Sequence, residues 1–114
     1  MLGVKVKVEE KEGAVLIRLE GRIDAASTPV LENKIRALLD TKDRILFDFA
    51  KVDYLSSAGL RLLLSATKKL KSRGGHLVSC NIADDVMEII KMAGFERVLS
   101  IYSTEQEALT ALGK

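Results

Sequence analysis

Two runs of strictly alternating residues give way, without a linker, to apolar spacings of three and four, and this change of period most limits the folds open to the chain. Val4, Val6 and Val8 alternate with Lys5, Lys7 and Glu9, and beyond Lys11-Glu12-Gly13 the residues Val15, Ile17 and Leu19 alternate with Leu16, Arg18 and Glu20. Period two gives each run one inward and one outward face, and a glycine turn between the runs predicts an antiparallel hairpin, with Gly21 as its end. Thr28-Pro29 then supplies an N-cap and a proline at the first helical position. Leu31, Ile35, Leu38 and Leu39 follow at helical spacing, which predicts a helix over about 29–40.

The apolar run Ile45 to Ala50 is too short for a helix and is bounded by turn-type residues, so it reads as a central strand. From Ser57 onward Leu60, Leu63, Leu64, Thr67 and Leu70 form one helical face, Arg61, Ser65, Lys68 and Ser72 form another, and Gly74-Gly75 stop the helix. His76 to Ile82 is the next strand, Asp85-x-x-Glu88 resembles a capping box for a short helix ending at Gly94, and Val98 to Tyr102 is a last strand. Thr104-x-x-Glu107 caps a final helix carrying Ala108, Leu109 and Leu112. The order is β-β-α-β-α-β-α-β-α. Strand-helix alternation makes the later strands parallel and the hairpin adds an antiparallel member, so the expected fold is α/β, with a mixed, mostly parallel sheet and about four helices.

At 114 residues with 47% hydrophobic content the chain has material for one packed core, and residues 1–114 are expected to form one domain. Eighteen Lys and Arg against 16 Asp and Glu leave a net charge of +2, too balanced for a nucleic-acid footprint. The densest basic run, Lys68 to Arg73, falls where a helix ends and complements the negative end of its dipole. A lone Cys80 among apolar neighbours excludes an intrachain disulfide and suggests an inert core thiol in a reducing compartment. Met1 to Lys7 lacks a continuous apolar stretch and nowhere do 18 apolar residues follow one another, so the expectation is a cytoplasmic protein with no membrane or direct nucleic-acid partner.

The chemistry concentrates where Tyr54-Leu55-Ser56-Ser57 runs from a strand into a helix. A helix start presents unpaired N–H groups and the positive end of the macrodipole, so a phosphate on Ser56 or Ser57 is stabilised there; either serine also serves simply as an N-cap. Catalytic alternatives fare worse. His76 is the sole histidine and has no Cys or carboxylate cluster beside it, so no metal site is expected. Leu55 to Gly59 lacks the first glycine of G-x-S-x-G, and a hydrolase with Ser57 as nucleophile has only His76 as a base. No phosphate-cradling glycine loop occurs, so no cofactor is expected, and Gly59 reads as a tight-packing or surface-flattening residue. Asp24 precedes the first helix as a turn or cap residue. Protein recognition, not catalysis, is the default use of this surface.

These residues together resemble the STAS-domain proteins of the anti-sigma factor antagonist family. The resemblance covers essentially the whole chain: Gly21-Arg22-Ile23-Asp24 in place of Gly-x-(Leu/Ile)-Asp, the strand Ile45–Ala50, the signature Tyr54-Leu55-Ser56-Ser57-Ala58-Gly59-Leu60, the glycine pair, and the closing Ser103 to Leu109. It implies a non-enzymatic switch that binds an anti-sigma factor serine kinase and so frees a sigma factor or other target. It also implies that the kinase phosphorylates the serine two residues before the signature glycine, here Ser57, and that a serine phosphatase restores binding. Asp24, Tyr54, Leu55, Ser56, Ser57, Ala58, Gly59, Leu60 and Arg61 are then expected to line or support the docking surface. Family members commonly carry an aspartate where this chain has Ser56, which leaves Ser56 as a second candidate acceptor, and Arg22 stands where some members carry an acid. The alternative within the same domain family is a constitutive accessory subunit of a lipid-transporting ATPase complex, with structural serines and no phosphate.

Overall fold

In a computed structural model the described residues are 3–113. Met1, Leu2 and Lys114, the ends of the expected domain, lie outside them. The order is β1 (Val4–Lys11), β2 (Ala14–Ile23), α1 (Thr28–Thr41), β3 (Arg44–Leu55), α2 (Ser57–Ser72), β4 (His76–Cys80), α3 (Asp84–Met92), β5 (Ser100–Tyr102) and α4 (Glu105–Leu112). The strands form one sheet in the order β1-β2-β3-β4-β5; β1 is antiparallel to β2 and the remaining neighbours are parallel. The expected mixed α/β fold is the one observed. Glu12 and Gly13 connect the hairpin with positive φ values of 54° and 80°, the handedness that a two-residue turn between twisted strands requires.

Alternation along the strands divides the core between the two faces of the sheet. Val15, Ile17, Ile45, Phe47 and Phe49 pack with Ile35 of α1, Leu63 of α2 and Ile90 of α3. Leu16, Leu46, Val78 and Cys80 point the other way, under Ala108, Leu109 and Leu112 of α4. Cys80 is fully buried, and burial pushes its thiol up to about 12, in keeping with an inert core cysteine. Alongside α4, the same face carries an ion cluster centred on Arg18. Its guanidinium donates to Glu9 (2.8 Å), Asp48 (2.7 Å) and Glu105 (2.8 Å), and Asn81 adds a bond to Asp48 (3.1 Å).

Several element ends differ from the sequence expectation, each for a local reason. Gly21 does not end β2, which runs to Ile23. Gly21 has φ 108°, and a Cβ there would sit 2.3 Å from the Gly3 carbonyl oxygen, so the glycine permits a close backbone approach within the strand. β3 continues past Ala50 to Leu55, because β2 extends alongside it and pairs Gly21 with Val52 and Ile23 with Leu55. Lys51 and Asp53 look like loop residues in sequence but are the exposed positions of this extension.

The first helix starts one residue earlier than expected, with Ser27 rather than Thr28 at the N-cap. β4 stops at Cys80 because Asn81 turns to φ 59°. The expected Asp85–Glu88 capping box does not form: Ala83 is the N-cap, and Asp84 and Asp85 lie in the first turn, where they complement the dipole directly. Val98 and Leu99 belong to a turn in which both backbone N–H groups donate to the Phe95 carbonyl, leaving β5 as Ser100–Tyr102. The Thr104–Glu107 box does form. Among the described residues no helix is long and apolar enough to cross a membrane.

Candidate functional site

The extension of β2 and β3 brings their carboxyl ends together, and both chains turn there into helices. Ser56 joins the corners: its backbone N–H donates to the Ile23 carbonyl at 2.8 Å. Its φ and ψ of −80° and 170° leave it outside the helix, and its hydroxyl accepts the Gly59 N–H at 3.1 Å. Ser56 is therefore the N-cap of α2, which decides between the two serines as the capping residue. Ser57 is the first helical residue, is exposed, and its hydroxyl makes no hydrogen bond among the described residues.

Beneath the serines the packing is close. Leu55 and Leu60 are buried, and a Cβ on Gly59 would lie 2.6 Å from Ile23 Cγ2 and 2.8 Å from Leu55 Cδ1. Glycine at this position lets the first turn of α2 rest on the end of β2. Leu55, Gly59 and Leu60 thus support the surface from below, whereas Ser57 and Arg61 are exposed and Tyr54, Ser56 and Ala58 are half-buried.

The β2–α1 corner forms the neighbouring part. Asp24 Oδ1 accepts the N–H groups of Ala26 (3.1 Å) and Ser27 (2.8 Å), the Ser27 hydroxyl donates to the Arg22 carbonyl (2.7 Å) and accepts the Asp24 N–H (2.9 Å), and the Thr28 hydroxyl bonds the Asp24 carbonyl (2.6 Å). The Ser27 N–H, then the Ser27 side chain, the Ala26 N–H and the charge of Arg22 hold the Asp24 carboxyl below its ordinary value against the upward pull of desolvation. Asp24 is therefore both the turn residue read from sequence and an ionised carboxylate whose Oδ2 faces Arg22 Nε at 3.9 Å. Arg22, in register with Tyr54 on β3, lays its guanidinium over that ring at 4.3 Å from the centroid. The sequence signalled Arg22 only by its unusual charge; the stacking follows from a strand register that spacing does not reveal.

Other sequence candidates lie elsewhere. His76 opens β4 opposite Arg44, at the amino end of β3, whereas Ser57 follows its carboxyl end. They lie at opposite ends of this twelve-residue strand, so His76 cannot serve Ser57 as a base. The basic run closing α2 is tied down locally, with Lys69 bonded to Asp40 and Arg73 Nε 3.3 Å from Asp43. Among the described residues no group of three or more His, Cys, Asp or Glu side chains is set to hold a metal ion. What the site offers is a surface with the unbonded Ser57 hydroxyl, the Asp24 carboxylate and two exposed arginines, Arg22 and Arg61.

Residues 5–108 match the family model described as STAS domain. BtrV of Bordetella bronchiseptica, provisionally named an anti-sigma factor antagonist, is 29% identical over 109 residues, which cover 95% of this chain and 94% of that protein. The crystal structure of an anti-sigma factor antagonist from Mycobacterium paratuberculosis superposes with a TM-score of 0.89 at 26% identity, covering 97% of this chain and 95% of that one. SpoIIAA, a Bacillus cell fate determinant solved in its phosphorylated form, shares the fold at a TM-score of 0.69 and 21% identity over 94% of this chain and 98% of its own.

Proposed function

The chain belongs to the STAS domain family, and on that premise we propose that it is an anti-sigma factor antagonist that acts by binding rather than catalysis. Its unmodified form docks on a serine-kinase-type anti-sigma factor through the surface around Asp24, Tyr54, Ser57 and Arg61, and releases what that factor holds. The kinase transfers the γ-phosphoryl group of ATP to the Ser57 hydroxyl; the bond from the γ-phosphorus to the bridging oxygen and the Ser57 O–H bond break, an O–P bond forms, and ADP and a proton leave. A serine phosphatase hydrolyses the phosphoester and returns the docking form.

One observation carries this reading: the Ser56 hydroxyl is engaged by Gly59 N–H, whereas the adjacent Ser57 hydroxyl is exposed and bonds nothing among the described residues. An acceptor hydroxyl has to reach the kinase active site, and only Ser57 does so without uncapping α2. The existence of SpoIIAA in a phosphorylated form supports the same use of this fold. A phosphoserine adds about −1.5 to −2 charges to a surface that is desolvated on docking, so binding falls although the domain stays folded.

The test is phosphorylation with the partner kinase and ATP, followed by peptide mass spectrometry and titration of the partner with the modified and unmodified protein. The expected result is one phosphate at Ser57, none in Ser57→Ala, and an affinity lower by about tenfold or more. Phosphate on Ser56 alone, or full binding by the phosphorylated form, overturns the assignment.

A further inference from the structure

We propose that Arg61 clamps the phosphate on Ser57, so that modification withdraws a docking cation from the surface as well as adding negative charge; this rests on Ser57 being the acceptor. Helix α2 carries Arg61, Lys68, Lys69 and Lys71 and has no Asp or Glu, so no carboxylate complements the positive end of its dipole. A phosphate at Ser57 is the first anion on this helix. Arg61 stands four residues on, one turn along the same face.

The orientation favours contact. Cα–Cβ bonds in a helix tilt toward its N-terminus, so the Arg61 stem leans back over the first turn, and an anion placed four residues before a cation is the better of the two orders. Arg61 is exposed and makes no ion pair among the described residues, in contrast to Lys69, which is bonded to Asp40. It therefore gives up no protein partner when it turns to the phosphate, and a planar guanidinium suits two phosphate oxygens at once. Other charged groups toward this end of the sheet include Arg22 and Asp24 on the β2–α1 corner, Glu20 on β2, Lys51 and Asp53 on β3, and Asp84 and Asp85 at the start of α3; Arg22 is already placed over Tyr54.

Phosphoserine installed at position 57 by genetic encoding tests the clamp in the full chain with no kinase involved. The readout is the second ionisation of the phosphate followed by phosphorus NMR, which lies near pH 6 for a free phosphoserine (about 6). The expected midpoint in the Arg61 protein lies below that of Arg61→Ala by about 0.15–0.4 pH unit, with Arg61→Lys between them. The difference is expected to vanish at about 1 M salt, where the screening length is about 3 Å. Equal midpoints for Arg61 and Arg61→Ala at low salt overturn the clamp and leave Ser57 as the acceptor. Failure of a proven kinase to modify Ser57 overturns the functional reading and leaves this measurement intact.

Discussion

Asp24 holds two roles in one side chain, and two substitutions separate them. Its Oδ1 organises the Ala26 and Ser27 N–H groups at the start of α1, while its charge faces outward beside Arg22. Asn keeps a carbonyl oxygen for those N–H groups and loses the charge; Ala loses both. Asp24→Asn is expected to melt near the wild-type temperature yet bind the partner about tenfold more weakly, whereas Asp24→Ala loses melting temperature as well. Parallel calorimetric titration and thermal unfolding of the two variants check this. Undiminished binding by Asp24→Asn would confine the residue to its turn.

At the scale of elements, α2 depends on a single side chain for its start. Among the described residues no other hydroxyl or carboxylate caps its first turn, and the Ser56 oxygen satisfies the Gly59 N–H that burial against Ile23 and Leu55 would otherwise strand. Ser56→Ala is expected to cost about 1 kcal/mol of stability, and Ser57→Ala, which removes no cap, much less. Denaturant unfolding of both variants decides it, and equal losses would contradict the assignment of Ser56 as the cap.

Across the whole molecule, Arg18 connects elements distant in sequence: Glu9 on β1, Asp48 on β3 and Glu105 on α4 all meet its guanidinium. Hydrogen bonds from Arg18 hold Glu9 and Glu105 below their ordinary values. Burial alone would raise Asp48, but bonds from the Ala50 N–H, Asn81 and Arg18 outweigh it and hold this carboxyl down too. Because the folded values are depressed, their stabilisation is complete above the ordinary carboxylate range near about 4 and is lost as pH falls through the folded values. Arg18→Met is expected to be less stable at neutral pH, where the carboxylates then repel one another. It is also expected to lose less stability than the wild type as the solution is acidified below about pH 4. Denaturant unfolding at neutral and acid pH measures both slopes; parallel pH profiles would show that the cluster contributes nothing specific.

The periodicities of the chain determined the element order, the antiparallel start and the parallel remainder, because 2-residue and 3.6-residue repeats are local properties that a single segment expresses by itself. The Thr104–Glu107 box and the glycine stops after α2 and α3 were legible for the same reason, whereas Gly21 ended nothing. Strand ends were not. Lys51 and Asp53 belong to β3 only because β2 lies beside them, and Val98 leaves β5 because its N–H finds Phe95 within its own turn. The candidate site divides along the same line. Tyr54 to Arg61 and Asp24 stand out in sequence through their residue types, but spacing could not decide which serine caps α2 and which is free, because both orders read alike. That choice was made by Ile23, more than 30 positions away along the chain, whose carbonyl takes the Ser56 N–H and whose side chain lies against Gly59. Local patterns set what each segment forms; backbone partners and packing volume, which are shared between segments, set where it ends and which hydroxyl faces solvent.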